Sequence, residues 1–139
     1  MSEIEWKPFY SINIEEIDNQ HRKLVNMLNQ LAGSLHKGVV NEEIGNVLKQ
    51  LVEYTRDHFS AEEKLMREIE YQGYVPHKKM HQDLTDQVVV ILKNIRNGKK
   101  VDVFDMMSFL QRWLINHIVE EDMKIGKAWQ SRRNKQPVT

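Results

Sequence analysis

Apolar residues recur along this chain at spacings of three and four, and no stretch alternates apolar with polar in the manner of a half-buried strand. The first periodic stretch opens near Asp18, a good helix N-cap, and carries Leu24, Leu28, Leu31 and Leu35 before Gly38. A second runs from about Asn41 to Glu70, with Ile44, Leu48, Leu51, Tyr54, Thr55, His58, Glu62, Leu65 and Met66 near one face. A third starts around Pro76, a residue favoured in the first helical turn, and stops at Asn97 and Gly98. Asp102 can cap a fourth, whose inward stripe holds Met106, Phe109, Leu110, Trp113, Leu114, His117 and Ile118.

Four such helices with short connections predict an all-α fold, an antiparallel up-down-up-down four-helix bundle with an N-terminal arm. The 139 residues form one domain: an arm over 1–17, the bundle over about 18–130, and a tail over 131–139 whose QPVT end is expected to be disordered. Trp6, Phe9 and Tyr10 are expected to pack the arm against the bundle. Met27, Met66, Met80 and Met107 read as core filler.

Charge narrows the partners. Lys plus Arg and Asp plus Glu both number 20, so no excess of either sign favours nucleic acid or an anionic membrane. No apolar run is long enough to span a bilayer, and MSEIEWKPFY lacks the apolar core of a signal peptide. A cytoplasmic location is therefore expected, and a monomer, because no large apolar stripe is left over once the core is filled. Cysteine is absent, which excludes disulfides, iron–sulfur clusters and a thiol nucleophile.

The chemistry lies in the histidines. Five of six fall in a metal-ligand pattern: His21 alone, His58 one turn before Glu62, His77 one turn before His81, and His117 before Asp122. The sixth, His36, reads as an ordinary histidine. In an antiparallel hairpin, residues at one height are symmetric about the turn. The midpoint of His21 and His58 falls in the break at 38–41, and that of His77 and Asp122 falls beside Gly98. The pairs His58/His81 and Glu62/His77 share a midpoint a few residues before Gly73, off by about one turn, or ~5 Å. Three hairpins thus place all seven groups in one slab.

Imidazoles with a few carboxylates suit a borderline divalent metal, and seven donors are too many for one ion but suit two. Glu62 and Asp122 are the only anions among the seven, and each could bridge. Five histidines then divide as three and two. With both carboxylates and one oxo or hydroxo group bridging, one metal is left with an open position. In an apolar interior, that position suits a small neutral molecule such as dioxygen. Zinc remains open at this point, since nitrogen and oxygen donors alone do not exclude it.

The segments IEEIDNQH, HFSAEEKLM, HKKMH and RWLINHIVEED resemble the hemerythrin family in its single-domain bacterial form. The resemblance implies two irons bridged by oxo or hydroxo, Glu62 and Asp122. It places His77, His81 and His117 on one iron, and His21 and His58 on the iron with the vacancy. It also implies an oxygen pocket of Leu24, Phe59, Trp113, Leu114 and Ile118, although Trp113 would be core in any bundle. The expected function is reversible dioxygen binding for storage, transport or scavenging, with no catalytic residue and no substrate turned over. Oxygen or redox sensing, and a diiron peroxidase or oxidase, are the alternatives. One spacing is unusual: Asp122 follows His117 by five residues, a rotation of roughly 140° on a regular helix. Either the helix widens locally or Asp122 reaches sideways.

Overall fold

The computed structural model describes residues 4–36 and 41–135. The first interhelical break and the QPVT end lie outside the described residues, as do the side chains of Leu35, His36 and Glu42. Among the described residues there is no strand, and the chain forms four long helical rods: α1 (Glu15–His36), α2 (Asn41–Glu68), α3 (Tyr74–Arg96), and α4 (Val103–Asn116). The fourth rod continues through a π-helical segment (His117–Asp122) into α5 (Met123–Lys135). The up-down-up-down bundle expected from the apolar pattern is present.

The helix ends show why the chain turns where it does. At the end of α3, Gly98 takes the left-handed φ of 72° that a side chain resists, while its N–H and that of Lys99 return to the carbonyls of Ile95 and Asn94. Asp102 caps α4 as expected, accepting from the N–H groups of Phe104 and Asp105. Helix α2 closes in the same manner as α3 but without a glycine: Glu70 sits at φ 54°, with Glu70 N–H on Arg67 O and Tyr71 N–H on Met66 O. This closure ends α2 at Glu68, before the expected Glu70, and α3 starts at Tyr74, which keeps Pro76 in its first turn. The turn is thus centred nearer the donor midpoint than Gly73 suggested, and most of the one-turn misfit disappears.

Two further boundaries differ from expectation, as does one arm residue. Helix α1 begins at Glu15, so Asp18 lies in its first turn and is not its N-cap. The Asp18 carboxylate instead reaches back to the arm, accepting from Ser11 Oγ (2.5 Å) and Ile12 N–H (2.9 Å). Helix α5 runs to Lys135, beyond the expected 130, because nothing breaks it before Pro137 and Arg132 satisfies the Ile69 carbonyl. In the arm, Tyr10 is buried and Trp6 half-buried against the core, but Phe9 is 61% exposed and packs edge-to-face with Tyr10.

The core has two parts. The larger unites Leu24, Leu28, Leu31, Leu48, Met107, Leu110 and Ile118; the smaller unites Ile12, Ile14, Ile17, Met66 and Ile125. Complete burial of side chains such as Leu31 and Leu48 stabilises the fold by about 1.5–3 kcal/mol each. Met66 and Met107 are fully buried, Met27 and Met80 only partly. Between the two apolar clusters, where α1, α2, α3 and the π segment face one another, lies a layer of polar side chains.

Candidate metal centre

Each helix contributes to this layer through its own periodicity. Helix α1 carries His21, α2 carries His58 and Glu62 one turn apart, and α3 carries His77 and His81 one turn apart. The fourth rod supplies His117 and Asp122 as the first and last residues of the π segment. A π turn bonds residue i to i+5, so widening the helix by one residue per turn brings a side chain five positions on beneath its predecessor. This is the local widening that the 117–122 spacing called for. All seven side chains are buried, none more than 6% exposed.

The seven donors divide by distance into two groups that share both carboxylates: Glu62, His77, His81, His117 and Asp122, and His21, His58, Glu62 and Asp122. Glu62 turns Oε1 toward His81 Nε2 (3.0 Å) and His77 Nε2 (3.6 Å), and Oε2 toward His58 Nε2 (3.0 Å) and His21 Nε2 (3.1 Å). Asp122 does the same, with Oδ1 3.0 Å from His77 Nε2 and 3.1 Å from His117 Nε2, and Oδ2 2.9 Å from His21 Nε2. Every carboxylate oxygen therefore faces one group only.

These contacts fit a metal better than they fit each other. A neutral imidazole has one N–H and one lone pair. Yet His117 Nε2 lies 3.1 Å from His77 Nε2 and 3.2 Å from His81 Nε2, three nitrogens converging where a chain of hydrogen bonds cannot satisfy them all. Nitrogens about 2.1 Å from a common ion stand about 3.0 Å apart at right angles and about 3.4 Å apart in a tetrahedron. Among the described residues, Glu62 Oε1 and both Asp122 oxygens accept no hydrogen bond despite lying close to ring nitrogens. They are aimed past those nitrogens. The residues present fit a pair of cations.

Without a cation, protons must balance the two carboxylates. Burial alone would lower the His21 pKa, but Asp122 and Glu62 outweigh it and raise that ring to about 10; the same balance raises His77 to about 9. Burial alone would raise Glu62 and Asp122, yet the facing imidazoles hold both well below the usual carboxylate range.

Around the donors, two aromatic rings fix two imidazoles: Phe59 stacks on His81 (3.7 Å between centroids, 4° between planes) and Trp113 on His117 (4.4 Å, 13°). On their outer nitrogens, His58 Nδ1 meets Gln20 Oε1 at 2.6 Å and His81 Nδ1 meets Glu63 Oε2 at 2.9 Å. Glu63 is discernible in the sequence only as the neighbour of a donor, and Gln20, just before His21, carried no signal at all.

One turn from the donors lies a cavity of about 40 Å³ lined by Leu24, Leu28, Leu51, Val52, Thr55, Leu84, Thr85, Val88, Leu110, Trp113 and Leu114. Each helix contributes from the side facing the turn between α3 and α4. Of the five residues expected around a small ligand, Leu24, Trp113 and Leu114 line this space. Phe59 stacks on His81, and Ile118 is fully buried in the core.

A four-helix bundle whose interior holds two buried, carboxylate-sharing groups of imidazoles defines a non-haem metal-binding protein. The description "Hemerythrin HHE cation binding domain" fits residues 13–129, and the chain belongs to the hemerythrin family, a family of diiron oxygen-binding proteins. It is similar to bacteriohemerythrin of Pseudomonas aeruginosa, 34% identical over 122 residues covering 88% of this chain and 78% of that protein. The bacteriohemerythrin of Clostridium acetobutylicum is 30% identical over 125 residues, covering 84% and 94%. The crystal structure of a wild-type hemerythrin superposes with a TM-score of 0.85 at 28% identity, covering 91% of this chain and 98% of that one. Among the described residues, no helix is long and apolar enough to cross a membrane.

Proposed function

We propose that this chain binds dioxygen reversibly at two iron ions and serves as a store, carrier or scavenger that turns over no substrate. His77, His81 and His117 would hold one iron and His21 and His58 the other, with Glu62 and Asp122 as the carboxylates shared by both. The observation that carries this reading is the division of the carboxylate oxygens: one of each pair faces two imidazoles of the three-histidine group, and the other faces His21 and His58 from Glu62 or His21 alone from Asp122. When bound, the irons supply two electrons that dioxygen takes up and gives back.

The protein's part is to hold, orient and exclude. Five neutral imidazoles against two carboxylates keep ligand charge low, which favours returning the electrons over passing them to a substrate. Phe59 and Trp113 restrict rotation of His81 and His117 by stacking on their faces. Leu24, Leu114 and Trp113 line a cavity with room for a diatomic molecule, since roughly 10–15 Å³ by this measure admits one water. Of the two threonines in the lining, Thr85 directs its hydroxyl to the His81 carbonyl and so away from the cavity.

The test is anaerobic reduction followed by oxygen, with visible absorption and iron measured on one sample. Two irons per chain and a charge-transfer band that appears with oxygen and vanishes under vacuum are expected. Prompt irreversible oxidation would overturn the carrier reading in favour of sensing or oxidation. Zinc in place of iron, in protein isolated without added metal, would overturn the oxygen reading itself.

A further inference from the structure

The two sides of the centre differ in a second respect besides histidine count. On the three-histidine side, the outer nitrogen of His81 meets a carboxylate, Glu63, on α2. On the two-histidine side, the outer nitrogen of His58 meets a neutral amide, Gln20, on α1. Both follow one scheme, in which a residue adjacent in sequence to a donor serves a ring on the next helix. The outer nitrogens of His21 and His77 are buried and have no partner among the described residues. Gln20 and Glu63 are thus the acceptors that face the outer nitrogens of His58 and His81, one on each side of the centre.

An acceptor on Nδ1–H fixes the tautomer, turns the Nε2 lone pair toward the centre, and pushes electron density onto it. An anionic acceptor does so more strongly than a neutral one. His81 is thereby made a stronger donor than His58, on the side that already has one more histidine.

We propose that Gln20 is a positioning residue that orients His58 and, being uncharged where Glu63 is charged, keeps the two-histidine position the more weakly held of the two. This rests on the two-metal reading above. The acceptors differ in charge but hardly in shape, so charge can be exchanged almost without changing volume.

The experiment uses Co²⁺ as the probe, titrated into metal-stripped protein against a competing chelator and followed by its visible bands. The native chain is expected to show two affinities. Gln20→Leu removes the acceptor and is expected to weaken the lower affinity by about 10–100-fold while sparing the higher. Gln20→Glu is expected to strengthen the lower affinity and narrow the gap, and Glu63→Gln to weaken the higher one. A merely structural role would make Gln20→Glu and Gln20→Leu change affinity in the same direction. Same-direction shifts, equal shifts at both positions, or no shift would each overturn the proposal. Should Gln20→Leu fail to fold, as judged by circular dichroism, the isosteric pair Gln20→Glu and Glu63→Gln decides alone. Because Co²⁺ affinity does not depend on oxygen chemistry, failure here is distinguishable from failure of the oxygen reading. Failure to bind two Co²⁺ per chain in the native protein would overturn both.

Discussion

Stripping the metal should make the stability of this protein steeply dependent on alkaline pH. In the metal-free native state, His21 and His77 hold protons to about pH 10 and about pH 9, because Asp122 and Glu62 face them in a buried layer. In the unfolded chain both titrate near 6.5. Between about pH 6.5 and 9 the native state therefore binds up to two more protons than the unfolded state, and stability falls as pH rises. Two protons correspond to a slope of about 2.7 kcal/mol per pH unit. Even half that slope over two units removes a sizeable part of the ~5–15 kcal/mol that holds a typical domain together. On the acid side the sign reverses. Glu62 and Asp122 are held below their unfolded values, so their contribution is lost as pH falls below about 4. Metal-free stability should accordingly peak between about pH 5 and 6.5. In the loaded protein metal replaces those protons, and the alkaline slope should vanish. Urea unfolding followed by circular dichroism from pH 5 to 9.5, with and without metal, measures both curves. A metal-free curve that is flat or rising between pH 6.5 and 9 would refute the reasoning, since the carboxylates would then not be balanced by protons on these rings.

Three further outcomes follow from individual residues. His21→Ala or His58→Ala should deplete the two-histidine position before its neighbour, so metal analysis should find nearer one ion than two or none; equal loss of both would contradict the division of donors. Gly33 and Gly126 are both helical, and propensity alone would have alanine stabilise either by about 1 kcal/mol. At Gly33 a Cβ meets nothing within 4 Å and that gain is expected, whereas at Gly126 it would lie 2.2 Å from the Ile12 carbonyl oxygen. Gly126→Ala must therefore displace the arm and forfeit much of the Ile12 burial, about 1.5–3 kcal/mol, leaving it less stable than Gly33→Ala in urea unfolding. Glu70→Gly should relieve the left-handed backbone at φ 54° and raise the urea midpoint by an amount equivalent to about 1 kcal/mol; a lowered midpoint would mean that the Glu70 side chain contributes more than its strain costs.

Helix number, bundle topology and the convergence of the seven candidate donors were legible in the sequence, because each is written in local spacing. Leucines three and four apart define a buried stripe, and His58/Glu62 and His77/His81 one turn apart define a shared face. The midpoints of the hairpins then stack those faces, since antiparallel rods of fixed rise leave little freedom in height. The five-residue step from His117 to Asp122 could be recognised as an irregularity but not resolved. A wider helix and a sideways reach look identical in sequence, and only neighbours on three other helices select the π segment.

What tertiary structure alone decided are the relations between residues that share no periodicity. Asp18 looked like a cap and instead ties down Ser11 and Ile12, because the arm folds back within reach of its carboxylate. Phe59 stacks face to face on His81 of α3, a contact that the spacing along α2 does not report. Gln20 was silent until α2 brought His58 to within 2.6 Å of it. Gly126 has no room for a side chain because the arm crosses it at the Ile12 carbonyl, a contact that no spacing within its helix reports. Periodicity reports which way a side chain faces, and a face can be read from one helix. What a side chain meets depends on the rotation and approach of another element, and that is set only when the elements pack together.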